Sequence, residues 1–539
     1  MAKHVIGVDF GSDSARATLV RTDDGATVRT AACPYRRWAA GLYSSTAETR
    51  FRQHPLDYGE ALKSVLHGVL DGFAEKPDVV GVGVDTTAST PCLTDAAGVP
   101  LALRPEFAEE PDAMFVLWKD HTGTAESREI TAAANAGEVK YARQCGNDYS
   151  AESGWSKVAH ILRTNPRVAA AAASVVEQCD YVTGLLTGGA APRSRCAAAY
   201  KWMWSEAWGG YPPAAFFRAL GGDRLVAIRD SLPTATAYAT ARAGTLSADW
   251  ARELGLSGNV AVSVGNVDAH SGTVGAGGNL GTAVLTLGTS GCLMAMMPQE
   301  AFAGRFVADM FGQVPGGIVE GLEGFELGQS AFGDCYAWLK RLVTEPMREL
   351  LGGAVPEETL AAAEARVLPT LERRAAALAV DDALPLATDW FNGRRSPAPD
   401  PAACATLTGL RLGTGVAEIY WALVEATAFG VRAMIDHLER NGVRADRWNV
   451  IGGIARKSPF VVQMVADVTG KAMTVPELNE ACALGAAMHA AVAAGVYPDV
   501  ATAQKAMGAK AAAVYRPRPD RNHDRRYARY REALARGRS

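Results

Sequence analysis

Two short stretches far apart in the chain are written to one plan, and any fold of this sequence must accommodate both. Val5 to Phe10 is an apolar run that leads into Gly11-Ser12-Asp13-Ser14, after which residues alternate in Ala15-Arg16-Ala17-Thr18-Leu19-Val20. Ala283 to Leu287 is a second apolar run, closed by Gly288-Thr289-Ser290-Gly291 and followed by Cys292-Leu293-Met294-Ala295-Met296. Each reads as a β-hairpin with a tip of glycine and small hydroxyl residues. Alone, such a tip is an ordinary polar turn. Its repetition predicts two related halves, each opening with a hairpin whose backbone N–H groups can face a phosphate. Facing each other across a cleft, the tips at Gly11-Ser12 and Gly288-Thr289-Ser290 would hold a polyphosphate from both sides. Gly288 is expected to leave room for that phosphate, or to supply a φ that other residues avoid.

Carboxylates accompany both hairpins. Asp9 ends the first strand, where it could hold Mg²⁺ directly or through water. Asp268 lies in a loop of small residues about twenty positions before Gly288. A carboxylate there could take a proton from a hydroxyl, so the pieces together suggest phosphoryl transfer from a nucleotide to an alcohol.

Between the hairpins, Leu62, Val65, Leu66, Val69, Leu70 and Phe73 mark a helix with one buried face, and Val79 to Val84 reads as a buried strand. That strand ends in Asp85-Thr86-Thr87-Ala88-Ser89-Thr90, which could face a substrate or simply close the strand with a polar turn. Trp118 to Thr122 sets an aromatic beside charges. Lys201, among aromatics, reads as a snorkelling surface lysine unless a cleft makes it a fixed cation. Gly321 to Ser330 places Glu323 and Glu326 in what reads as a glycine-rich loop. The alanine-rich stretch 353–387 reads as helical and surface-lying, with turn residues following at 389–397. Val416 to Arg440 reads as a long helix carrying Val416, Ile419, Tyr420, Leu423, Val424 and Thr427 on one stripe. Beyond it, the strand Trp448 to Ile451 runs into Gly452-Gly453, a turn that lets a nucleotide approach the backbone, and Ser458-Pro459 reads as a helix start. The Walker and dinucleotide glycine patterns are missing, so nucleotide binding here needs another fold. The tail from Arg516 has nine arginines against three acids and reads as a solvated amphipathic helix with Tyr527, Tyr530 and Leu534 at helical spacing.

With 539 residues, two large domains are expected. A net charge of −4 argues against a general nucleic-acid binder. The nine cysteines contain no Cys-x-x-Cys pair, the pattern of reduced thiols in a cytoplasmic protein. The first ten residues are unlike a signal peptide, and no apolar run is long enough to span a bilayer, so no membrane partner is expected.

Taken together, these stretches resemble the FGGY carbohydrate kinases of the actin/Hsp70/hexokinase ATPase superfamily, and among them the ribulokinase branch. The resemblance runs from residues 7–14 to 485–487, with more particular marks at 104–109, 114–122, 328–334, 389–395 and 452–457. It implies an α/β fold of two ribonuclease-H-like domains flanking a deep cleft. Residues 1–277 would form the sugar-binding domain, and 278–539 the ATP-binding domain with a basic C-terminal helix. The implied activity is ATP- and Mg²⁺-dependent phosphorylation of L-ribulose in L-arabinose catabolism. By position, Asp268 matches the family's catalytic base and Asp9 its Mg²⁺-holding acid. Ala88, Lys201, Asp268 and Glu326 match the sugar contacts. Gly288, Thr289 and Ser290 match a phosphate turn, to which the tip at Gly11 and Ser12 corresponds. Gly452, Gly453, Ala455, Arg456 and Lys457 match the adenosine site. Glu326 is preferred to Glu323 because it keeps the spacing to Gln329, which makes Glu323 an addition to the pattern. A homodimer is compatible with the sequence, which does not set the oligomeric state. One rival is a xylulokinase- or ribitol kinase-like relative. The other is an actin- or Hsp70-like ATP-switched binding protein, which would have no use for Asp268.

Overall fold

The computed structural model describes residues 2–519 and 523–536. The first hairpin forms as its alternation requires. Strand β1 (Lys3–Phe10) pairs antiparallel with β2 (Ser14–Arg21), and the Gly11 N–H donates to the Ser14 carbonyl at 3.1 Å to close the tip. β3 (Thr27–Pro34) extends the meander. Helix α1 (Pro55–Leu70) starts with proline in its first turn and the His54 ring accepting from the Leu56 N–H, and it buries Leu62, Val65, Leu66 and Val69. Phe73 lies just beyond that helix, packed against the same core. β4 (Asp78–Thr86) pairs parallel with β1. After α2 (Arg195–Lys201) come β5 (Arg242–Thr245) and β6 (Ala261–Ser263), giving the order β5-β6-β4-β1-β2-β3, and α3 (Asp268–Gly275) follows.

The second half repeats this construction. β7 (Thr282–Leu287) and β8 (Gly291–Pro298) form the hairpin, and β9 (Gly312–Pro315) and β10 (Leu322–Gln329) join antiparallel. β11 (Arg447–Ile451) lies parallel to β7, β12 (Met473–Pro476) parallel to β11, and β13 (Ala511–Tyr515) closes the sheet. Without the edge additions, the orders β3-β2-β1-β4-β6 and β10-β8-β7-β11-β12 are the same. The duplication implied by the hairpin tips therefore extends to whole sheets.

Three readings need correction. Residues 322–329 are strand β10 and not a loop. Their glycines make room for neighbours: a Cβ at Gly324 would meet the Tyr200 hydroxyl at 2.7 Å, and one at Gly328 would meet Arg395 Cδ at 2.8 Å. The long helix has the expected bounds, after α4 (Gly333–Leu351), as α5 (Val416–Arg440), but it is buried without a break from Tyr420 to Val431 because it runs through the second core. Val416, assigned to its buried stripe, is exposed. The C-terminal helix also has more than a solvated face. After α6 (Gly453–Lys457) and α7 (Ala481–Ala493), α8 (Asp524–Arg536) docks on α5, with Arg526 buried and forked onto Glu425 at 2.7–2.9 Å. Tyr530 donates to Asp389 Oδ1 at 2.8 Å.

Helix α7 ties the halves together. It comes between β12 and β13 of the second sheet in sequence, yet it lies on β1 and β4 and against α3. Glycines permit the approach: a Cβ at Gly7 or Gly83 would overlap the Ala483 or Ala486 carbonyl oxygen, and one at Gly485 would overlap that of Ser271. The strands of the first sheet end at Val267 and those of the second begin at Thr282, while α7 carries the second half back onto the first. No helix among the described residues is long and apolar enough to cross a membrane.

This packing predicts opposite effects for two similar substitutions. Gly83→Ala should lower stability by at least about 1–3 kcal/mol, because backbone must move to admit the methyl group. Gly59→Ala, in α1 with no atom within 4 Å of the new Cβ, should raise it by about 0.5–1 kcal/mol through helix propensity. Thermal denaturation of both variants checks the pair, and equal shifts would contradict the close contact.

Candidate active site

Asp9 and Asp85 are register partners on the parallel strands β1 and β4, so their side chains emerge on one face. They are 6% and 0% exposed, so this is a buried pair of acids and not a surface cluster. Both Asp85 carboxylate oxygens lack a hydrogen-bond partner, and ligand atoms of Asp9, Asp85 and Cys482 lie within 4.8 Å of one another. Burial, with Asp9 and Asp268 nearby, pushes the Asp85 pKa well above the carboxylate range, and burial also raises that of Asp9. Asp85, without a protein donor, beside Asp9, which has only Arg16 at 3.6 Å, is a fit for a hard divalent cation. The Cys482 thiol, pushed up by its burial, is a poor partner for one.

Asp268 reaches this pair because Asn266 and Val267 hydrogen-bond to β4 beside Asp85 and Thr86, and α3 begins at the next residue. Its Oδ1 accepts from the Ala269 N–H at 2.6 Å, and the side chain is half-buried. Burial, then Asp9, push its pKa up to about 7.

Close enough to act on the Asp268 carboxyl are Lys201 and His270, part of a mixed-charge wall. Lys201 is buried, not snorkelling at the surface, with its ammonium 4.8 Å over the Phe311 ring. Glu326 on β10 has Oε2 3.5 Å from His270 Nε2; against burial, Lys201 and His270 hold its carboxyl below the usual range. His270 stacks on Tyr200 at 4.3 Å and sets Nδ1 3.2 Å from Cys196 Sγ. Glu323 lies three residues from Glu326 and so on the opposite face of the strand, where it accepts from Gln313 Nε2 at 2.8 Å. Ala88 follows β4 in a loop held by two buried groups: Ser89 Oγ donates to Glu177 at 2.7 Å, and Lys157 Nζ donates to the Ser89 carbonyl at 2.5 Å. Glu152 of the first half faces Arg395 of the second at 3.5 Å. Against its burial, His121 and Arg395 pull Glu152 down to about 2.

The second hairpin tip meets the glycines expected at a nucleotide. Gly288 N–H donates to the Ser290 carbonyl at 3.0 Å, Phe332 N–H to Thr289 at 2.7 Å, and Gly333 N–H to Gly288 at 3.0 Å. Gly452 adopts φ 100° and a Cβ there would overlap the Leu287 carbonyl, so β11 and β7 end against each other. Gly288 itself has no left-handed φ, and a Cβ would meet Ser290 O at an ordinary 3.6 Å. The conformational demand for glycine therefore falls on Gly452, not Gly288. Gly453 is open, Ala455 turns into the core, and Arg456 and Lys457 are exposed, with Arg456 donating to Asn479 at 3.2 Å. At the first tip, beside Gly11, Ser12 is fixed by Trp118 Nε1 donating to its hydroxyl at 2.9 Å and Gln53 Nε2 donating to its carbonyl at 2.6 Å.

The structure thus brings Asp9, Asp268, Lys201 and Glu326 to one region, and Gly288 to Ser290 beside Gly452. Asp85, Glu152, His270 and Arg395 were not singled out in advance. Asp85 had a local signal, its place at the end of a buried strand. The others depend on partners more than a hundred residues away, or on burial that no spacing reveals.

Residues 283–494 match the FGGY family of carbohydrate kinases, C-terminal domain. The chain is 42% identical to a ribulokinase of Vibrio parahaemolyticus, over 98% of this chain and 95% of that one. It is 35% identical to a ribulokinase of Geobacillus thermodenitrificans, over 96% and 91%. Among solved structures, xylulose kinase from Rhodospirillum rubrum superimposes with TM-score 0.78 at 22% identity, over 99% of this chain and 98% of that one. Plasmodium falciparum glycerol kinase with ADP superimposes with TM-score 0.76 at 13% identity, over the same shares. These last two share the fold.

The buried carboxylates make a stability prediction. A folded-state pKa raised above the unfolded value means that stability is fully present at low pH and lost as pH rises from about 4 through the raised value. Asp85→Asn removes one of the repelling charges. Its melting temperature should exceed that of the unsubstituted protein at pH 8 without divalent ions, with the gap closing at pH 5. A gap independent of pH would show that Asp85 is not charged against its neighbours.

Proposed function

This chain belongs to the FGGY family of carbohydrate kinases, and we propose that it transfers the γ-phosphoryl group of ATP to the terminal hydroxyl of L-ribulose. The near full-length identity to ribulokinases supports the sugar. The observation that carries the chemistry is Asp268, a half-buried carboxylate pushed up to about 7 near the Asp9–Asp85 pair and the Lys201–Glu326 wall. A base with that pKa matches proton abstraction near neutral pH.

In this reading Lys201 donates to sugar hydroxyls, Glu326 accepts from them, and the backbone around Ala88 limits the sugar's reach. The hydroxyl oxygen attacks the γ-phosphorus, the bond to the β–γ bridging oxygen breaks to leave ADP, and Asp268 Oδ2 takes the hydroxyl proton. The tips at Gly11-Ser12 and Gly288-Thr289-Ser290 hold the phosphates, and residues 452–457 lie along the adenosine. Asp9 and Asp85 would hold Mg²⁺, which neutralises the polyphosphate when bound. Positioning supplies most of the rate, and closure of the two halves over the sugar excludes water. The cysteines are all free, which supports a cytoplasmic location.

Asp268→Asn should lower kcat for L-ribulose by about 10²–10⁴-fold with its melting temperature unreduced, the range for a lost general base. A loss under about tenfold would remove Asp268 from that role. In the unsubstituted enzyme, kcat/KM for the sugar should rise with pH to a plateau above about 7, because the base works only when ionised. A profile flat from pH 5 to 8 would contradict this.

Lys201→Ala should raise KM for L-ribulose by more than about tenfold, the loss of a charged hydrogen bond, and leave KM for ATP nearly unchanged. A coupled assay over the four 2-ketopentoses and their alditols tests the substrate. Preference for xylulose or ribitol would replace L-ribulose within the same mechanism.

A further inference from the structure

Glu323 has no part in the reaction above, and neither has the cavity it faces. That cavity, about 620 Å³, lies across β10 from Glu326. Both halves wall it: Arg143, Gln144 and Trp208 come from the first, Phe306, Gln313 and Glu323 from the second. Glu323 is 4% exposed. Gln313 fixes it, donating from Nε2 to Glu323 Oε1 at 2.8 Å and to the Arg305 carbonyl at 2.9 Å, while accepting from the Val307 N–H at 2.8 Å. Gln144 is 7% exposed, and its Oε1 has no hydrogen-bond partner. The Arg143 guanidinium lies 5.2 Å from the Phe306 ring centre. Arg195, also in the wall, is already engaged by Glu206 at 2.8 Å and the Pro315 carbonyl at 3.1 Å.

We propose that this cavity is a second carbohydrate site, which takes an uncharged polyhydroxylated molecule of pentose or pentitol size, apart from the site at Lys201 and Glu326. The polar groups call for a ligand that both donates and accepts. Glu323 and Gln144 Oε1 accept, Arg143 donates, and a hydroxyl answers each of them. Trp208 and Phe306 offer apolar faces for C–H groups, and the volume suits a small ligand. A phosphate would meet the fixed Glu323 carboxylate, and a cationic ligand would meet Arg143 and Arg195.

The two sites share supporting elements. Helix α2 carries Arg195 to the cavity and Lys201 to the first site, and β10 carries Glu323 to one and Glu326 to the other. Between them, Tyr200 is wedged where a Cβ at Gly312, Gly317 or Gly324 would stand 2.5–2.7 Å from it, and its ring stacks on His270 at 4.3 Å.

Equilibrium dialysis without ATP, with labelled L-ribulose and labelled ribitol as probes, tests the site. The unsubstituted protein should bind more than one equivalent per chain. Lys201→Ala should retain the cavity equivalent. Glu323→Leu should weaken that equivalent about tenfold or more, as for a lost hydrogen bond to a charged group, and keep the other. If Glu323→Leu does not fold, Arg143→Ala and Trp208→Ala, both half-buried at the cavity wall, make the same comparison. A single equivalent that disappears in Lys201→Ala overturns the proposal. So does occupancy of the cavity by inorganic phosphate in place of both neutral probes. If L-ribulose is not the substrate, only the Lys201-sensitive equivalent is lost, so the two readings fail separately.

Discussion

The backbone-to-backbone contact of α7 with β1, β4 and α3 is the constraint on which the site depends. Gly7, Gly83, Gly275 and Gly485 each stand where a Cβ would overlap a carbonyl oxygen on the facing element. Without side chains between them, the elements close until Cys482, at the start of α7, lies beside Asp9 and Asp85. The same approach places α3, and Asp268 at its start, against that pair. Packing at this density leaves little freedom for adjustment, so the carboxylates are held where they repel.

That repulsion marks the site. Elsewhere buried charges are matched: Arg526 forks onto Glu425, Arg193 meets Asp180 at 2.6 Å, and Arg52 is bonded to Asp120. Buried Lys157 has backbone carbonyls around it, including Leu117 at 2.8 Å. Asp85 has neither a cation nor a donor. An unpaired buried carboxylate is among the most destabilising features a core can keep, and such groups concentrate where chemistry is done. The negative charge gathered here is what a bound divalent cation would offset.

Strand β10 shows how one element serves two surfaces. Its period of two sends Glu326 to Lys201 and His270, and Glu323 to Gln313 and the neighbouring cavity. Gly324 and Gly328 read as turn residues in isolation, but here they admit Tyr200 and Arg395. Glycine content predicts a loop only where the glycines serve conformation. In β10 they serve packing, and their φ values are ordinary.

Local chemistry determined much of this protein. The two hairpin tips, the bounds of the 416–440 helix, the Ser458 cap with its 3.2 Å bond from Val461 N–H, and the strand end at Asp9 are set by patterns a few residues long. The two related halves were legible because the hairpin repeats, and the fold class followed from the resemblance carried by several longer stretches. Asp268 drew notice because a carboxylate precedes a glycine turn within one short stretch. Only the tertiary structure decided that Asp85 neighbours Asp9, that Lys201 is buried, that Arg526 is an internal anchor, and that Glu152 faces Arg395. Each depends on a partner from a distant element, and burial and charge pairing are properties of that meeting, which no local spacing encodes.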